Sequence, residues 1–227
     1  MHIEPGVVDG AKIVLSYATG FLSLGLAAKM GADTARHDGG LPALLARCAA
    51  ATGLVFAFFE LLPHYPVGVS EVHLILGSTL FLTLGAGPAA IGLALGLLVQ
   101  GLFFAPFDLP QYGMNVTTLV VPIWALSHLA RSIISADTPY VETGYRQALT
   151  LSVAYQGGIV AWVAFWALYG HGFTADTIAA VAQFGAAYLT VIGLEPLVDV
   201  AVLALAKNFG GLTANRMFVH RLHAAQA

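Results

Sequence analysis

Charge is the scarcest commodity in this 227-residue sequence. Only 9% of residues are Asp, Glu, Lys or Arg, against about 25% in ordinary soluble proteins. A water-facing surface cannot be assembled from so few. The formal net charge of −3 leaves no basic stripe, which excludes nucleic-acid binding by phosphate neutralisation. A single cysteine, Cys48, excludes an internal disulfide framework and any multi-cysteine metal site. No Walker-type phosphate loop is present, so any ATP-driven process needs other chains. A His-Glu-x-x-His helix motif, an inverted repeat and low-complexity tracts are likewise missing. What the sequence does have is 58% hydrophobic residues, which implies an all-α, polytopic membrane protein whose function rests on a few polar side chains.

A spanning helix needs about 20 mostly apolar residues. Seven stretches qualify, at 11–30, 42–63, 72–87, 89–105, 115–135, 147–170 and 177–206. The third and fourth are short and separated only by Gly85-Ala86-Gly87-Pro88, so they read either as a pair of short spans or as a re-entrant hairpin. Glu195-Pro196 inside the overlong seventh predicts a kink or strong tilt. Basic residues flank alternate loops: Lys29, Arg36 and Arg47, then Arg131 and Arg146, then Lys207, Arg216 and Arg221. The loops near 64–71, 106–114 and 171–176 have none, and Lys12 is the exception. That asymmetry predicts an outside N-terminus and a cytoplasmic C-terminus. The whole chain, 1–227, then forms one integral membrane domain: a short segment 1–10, a helical bundle 11–206 and a cytoplasmic tail 207–227. No basic region precedes the first apolar run and no small-residue cleavage pattern follows it, so Met1 is expected to stay in the mature chain.

Imidazole is the commonest transition-metal ligand, and two of the eight histidines sit in unusual settings on the expected outer side. His2 is the second residue, and His73 is expected to open the third helix after a segment rich in Pro and Gly. A free Met1 α-amine, the His2 backbone nitrogen and the His2 imidazole can chelate one ion through fused rings, and His73 would complete a square-planar set of four nitrogens. Such a set suits Ni(II) or Cu(II) and is too rich in nitrogen for Mg or Ca. Taken one at a time, each histidine reads more simply: His2 as a loose terminal residue, His73 as an interfacial one.

The sequence Met1-His2-Ile3-Glu4-Pro5-Gly6 resembles the Met-His-Ile-x-x-Gly opening of the cobalt/nickel substrate-capture subunits of energy-coupling-factor ABC importers. The resemblance continues through Pro66-Val67-Gly68, Ser70 to His73-Leu74, Gly87-Pro88, Gln100 to Phe104, Gly113-Met114-Asn115 and Ile192-Gly193-Leu194-Glu195. Carried over, the family's metal site maps onto the Met1 amine, both His2 nitrogens and His73. Departures lie around it. Glu71-Val72 stands where many relatives have Ser-Gly, Ile75-Leu76-Gly77-Ser78 replaces a Gly-Gly pair after the histidine, and Tyr188 replaces a histidine that often precedes the last-helix glutamate. The resemblance implies a non-enzymatic transport subunit of a bacterial or archaeal inner membrane, with Co2+ or Ni2+ as cargo and no catalytic cofactor. It also implies a transmembrane coupling protein, a pair of cytoplasmic ATPases and a small accessory membrane subunit as partners.

A ligating imidazole usually gives its other N–H to a carboxylate, amide or carbonyl. Asn115, Ser70 and Glu71 are the candidates, and His64 is the spare ligand for a fifth position. Glu195 and Asp199, four apart on one helix face, allow an alternative: a secondary ion transporter with these acids as a relay. The plainer reading ties them to polar partners such as Gln156, Gln183, Tyr188 or His128. A membrane metalloenzyme is a further, weaker alternative. Ser16, Gly20, Ser23 and Ala27 form a small-residue surface that suits either a coupling interface or close packing within the chain. Cobalt and nickel are not distinguishable from the donor set.

Overall fold

The computed structural model describes residues 3–225, so Met1 and His2 lie outside the described residues. Among these, six helical segments are long and apolar enough to cross a membrane. They contain α1 (Ile13–His37), α2 (Gly40–Glu60), α4 (Ala86–Phe103), α5 (Tyr112–Ile133), α6 (Tyr145–His171) and α7 (Ala175–Asn208). Each falls on one of the apolar runs, with ends displaced by a few residues. The chain is a multi-pass membrane protein.

The run 72–87 is the exception and corrects the expected count of seven spanning helices. Its only helix is α3, Gly77–Leu84, whose eight residues measure roughly 12 Å, well short of the ~30 Å of a bilayer core. Ahead of it stands a feature that an all-α reading lacks, an antiparallel hairpin of β1 (Tyr65–Val67) and β2 (Ser70–Val72). The hairpin turns at Gly68, whose φ of 64° and close approach to the Ala180 carbonyl leave no room for a Cβ. From there the chain stays beside α7. Gly68 meets Ala180, Ser78 bonds Glu195 and Asp199, and Thr83 accepts from the Val219 amide of the C-terminal tail at 2.9 Å. The stretch 68–84 therefore runs between the two ends of the bundle, partly extended and partly helical. It is apolar because it is buried, not because it forms a long helix.

Small residues let the long helices approach closely. Ser16, Gly20, Ser23 and Ala27 are all buried, and a Cβ on Gly20 would come 2.6 Å from Gly113 Cα. The small-residue stripe of α1 is thus covered by α5 of the same chain. Gly92 and Gly96 do the same for α4 on α2, with Ala51 and Val55 in their notches. α7 passes through Pro196 without interruption; at 34 residues, roughly 50 Å, it must tilt or project beyond the apolar layer.

The two ends differ in charge. At one end, the hairpin end, the N-terminal segment, the β1–β2 hairpin, the turn Pro106–Gln111 and the α6–α7 loop meet, and among the described residues Lys12 is the one Lys or Arg there. Its ammonium bonds the Gly170 carbonyl at 2.8 Å. The opposite, basic end gathers the other Lys and Arg residues. There Arg47 bridges Asp38 at 2.7 Å, and Arg221 reaches the carbonyls of Ile134 and Ser135.

Candidate metal centre

The site begins with how the N-terminal segment is fixed. Ile3 is fully buried and forms a β-bridge with Ser70. Its N–H donates to Asn115 Oδ1 at 3.0 Å, and the Glu4 N–H donates to the Val69 carbonyl at 3.3 Å. The segment is pinned further along by the close contact of the Val7 carbonyl with Gly170 and by His171, whose Nε2 lies 3.3 Å from the Gly6 carbonyl. An apolar side chain at position 3 drives the docking, and the backbone partners on β2 and α5 set its register.

His73 follows β2 directly, so the same strand that pairs with Ile3 presents it. The imidazole is buried and bounded on three sides. His64 stacks on it with centroids 4.9 Å apart, Phe59 meets it edge-on at 5.1 Å, and Glu71 Oε2 lies 3.7 Å from Nε2. His64 itself is exposed and separates His73 from the surface of the hairpin end. Beyond His73 the backbone turns through Leu76 at φ 55°, a left-handed conformation rare for a side chain of this type. Gly77 then packs against Tyr155, where a Cβ would fall 2.1 Å from the ring.

Carboxylates ring the same place. Glu4, Glu71 and Asp108 lie close enough for their charges to interact. Burial first, and then the charge of Glu71, raise the Glu4 carboxyl above its ordinary range. Such a cluster lowers the electrostatic cost of a cation at its centre. Among the described residues no three His, Cys, Asp or Glu side chains form a group that could hold a metal ion.

Ser70, Glu71, His73, His64 and Asn115 are therefore brought together. The Asn115 side-chain oxygen accepts the Ile3 N–H, which ties α5 to the residue next to the expected ligand His2. The expected ligands Met1 and His2 lie outside the described residues. Asp108 and Phe59 were not legible as neighbours. Asp108 carries one weak signal, as the acid in a loop without Lys or Arg. Tyr188 packs at a tilt against Phe184, with centroids 4.6 Å apart, and its hydroxyl approaches the His73 backbone.

Glu195 and Asp199 occupy a second polar cluster, deeper along α7. Glu195 accepts from Ser152 Oγ at 3.0 Å, Gln156 Nε2 at 2.6 Å and the Ser78 N–H at 3.3 Å. Asp199 accepts from Ser78 Oγ at 2.7 Å and Thr79 Oγ1 at 2.5 Å. Of the partners expected, Gln156 is present; Ser78, Thr79 and Ser152 were not foreseen. Cys48 is buried with a free thiol, as a small apolar residue.

The comparisons with known proteins agree with this architecture. A family model for the cobalt uptake substrate-specific transmembrane region, CbiM, matches residues 2–210. A crystal structure of a transition metal transporter is similar over 93% of each chain, with a TM-score of 0.65 and 19% sequence identity, a likeness of fold. No curated protein matches the chain. The family match covers nearly the whole membrane bundle and includes the N-terminal segment, β2 with His73, and Asn115, and the chain therefore belongs to the CbiM family, the membrane components of cobalt uptake.

Proposed function

We propose that the chain is the substrate-binding subunit of an energy-coupling-factor ABC importer for cobalt or nickel. The ion is captured at the outer face by the Met1 amine, the His2 backbone nitrogen, the His2 imidazole and His73. The docking of Ile3 carries this reading. Two residues precede it, and neighbouring Cα atoms are 3.8 Å apart, so their donors start from a point tied to the strand that leads into His73. Glu4, Glu71 and Asp108 draw the cation in, and His64 is positioned to serve as a gate or a fifth donor.

The charge difference between the two ends supports an N-terminus outside and a tail, 207–227, in the cytoplasm. A coupling protein, an ATPase pair and an accessory membrane subunit would then supply energy from the basic side. The four nitrogen donors accept either ion, with nickel intrinsically the tighter; the family's description names cobalt. The acids on α7 fit an anchoring role better than a relay, since every carboxylate oxygen already accepts a hydrogen bond.

The test is direct titration of purified protein with Co2+ and Ni2+. Adding one residue before Met1, or His73→Ala, should each lower affinity by more than about 100-fold with the helical fold intact, since losing a ligand costs more than losing an outer partner. Proton release should accompany binding to the unmodified protein, because the amide and imidazole must be free of protons. Unchanged affinity after the one-residue extension would overturn the assignment.

A further inference from the structure

A large cavity lies at the basic end, remote from His73. α1 and α5 run in the same sense and touch where Gly20 meets Gly113. Towards the basic end they part, and a cavity of about 660 Å³ opens between them. Its floor is apolar, formed by Met30, Phe81, Ala86 and Val219 together with Tyr140. Arg221 lies under the Tyr140 ring, 4.8 Å from its centroid, and is held by the Ile134 and Ser135 carbonyls. The rim carries Lys29 from α1 and Arg131 from α5, neither with an ion pair to a described residue.

Of the two carboxylates nearby, one is engaged. Asp38 is bound to Arg47 at 2.7 Å and also accepts the His220 N–H. Asp33 stands 4.0 Å from Arg36. Trp124, 39% exposed, lines the cavity about two turns deeper along α5 than Arg131, with His128 packed edge-on against it at 4.8 Å. A partly exposed indole below basic side chains suits the interfacial region of a bilayer. A floor of apolar side chains below a cationic rim suits an amphiphile whose headgroup is anionic.

We propose that this cavity binds an anionic phospholipid, with Lys29 and Arg131 on the headgroup phosphate and Trp124, Met30 and Phe81 against its glycerol and upper acyl carbons. With Asp33 on the same rim, the excess positive charge is small. It matches the single charge of a phosphodiester better than the two charges of inorganic phosphate. General attraction of basic loops to a negative leaflet would need no cavity and would not distinguish Lys29 and Arg131 from other cations at this end.

The experiment uses the full chain in nanodiscs of phosphatidylcholine with about one-fifth phosphatidylglycerol, followed by native mass spectrometry of retained lipid. The protein should retain phosphatidylglycerol in preference to phosphatidylcholine. Lys29→Ala and Arg131→Ala should each weaken retention about fivefold, while Arg146→Ala, at the same end but outside the cavity, leaves it unchanged. Millimolar inorganic phosphate should not displace the lipid. Equal losses in all three variants, or no preference for the anionic lipid, would overturn the proposal. Displacement by inorganic phosphate would assign the cavity to a free anion instead, and would overturn the lipid assignment as well.

Discussion

Two polar clusters lie along the stretch from β2 to α3, and they are built in opposite ways. Around Glu195 and Asp199, five donors from α3 and α6 converge on two carboxylates, and each of the four carboxylate oxygens accepts a hydrogen bond. Around His73, the described neighbours are rings and a carboxylate: His64 stacked, Phe59 edge-on, Glu71 at 3.7 Å. The effort there goes into fixing the N-terminal segment at Ile3, through Ser70 and Asn115. A buried polar cluster whose carboxylates are met by donors joins helices; one that gathers negative charge and a docked segment around an imidazole suits the proposed cation.

This contrast can be broken by mutation. The largest effect is expected from Asn115→Ala, which removes the acceptor that holds the Ile3 N–H. Metal affinity should fall about 10- to 100-fold, as for loss of an outer partner of a metal site, with little change in melting temperature. Titration of the variant beside the parent protein checks this; unaltered affinity would detach the N-terminal segment from the site. Glu195→Ala should act the other way round. Interhelical hydrogen bonds within membranes average about 0.6 kcal/mol each, and orphaned donors add to that. A loss of about 2 kcal/mol in stability is expected, with metal affinity within about twofold of the parent. Glu195→Gln, which keeps one acceptor, should lose less. A collapse of metal binding in Glu195→Gln at normal stability would instead favour a relay.

The smallest effect sharpens the same comparison. The Tyr155 hydroxyl is fully buried with no hydrogen-bond partner among the described residues. Tyr155→Phe should therefore leave stability unchanged or raise it by up to about 1 kcal/mol. A clear destabilisation would mean that the hydroxyl belongs to the Glu195 cluster.

The long helices were legible because burial in a bilayer imposes one apolar signal over some 20 residues. The charge asymmetry of the loops was equally plain. The stretch 72–87 was not legible as it is, because hydropathy records burial and not backbone conformation. Leu74, Ile75 and Leu76 are as apolar as any helix, yet Leu76 turns left-handed and helix begins only at Gly77. The hairpin was hidden in the same way: three-residue strands are too short for a period of two to show. At the site, the residue types at Ser70, Glu71, His73 and Asn115 announced themselves. The bond from Ile3 to Asn115 spans 112 positions, and no local pattern encodes it. The same holds for Asp108, which reaches the site only because α5 carries its preceding turn to the hairpin end.

The central claim is a nitrogen-donor site made by the first two residues with His73. X-ray absorption spectroscopy of the Ni2+- or Co2+-loaded protein tests it most directly. The account predicts a shell of nitrogen donors with the scattering pattern of two imidazoles, falling to one or to none in His73→Ala. A six-coordinate shell dominated by oxygen, as Glu4, Glu71 and Asp108 would provide, would contradict it.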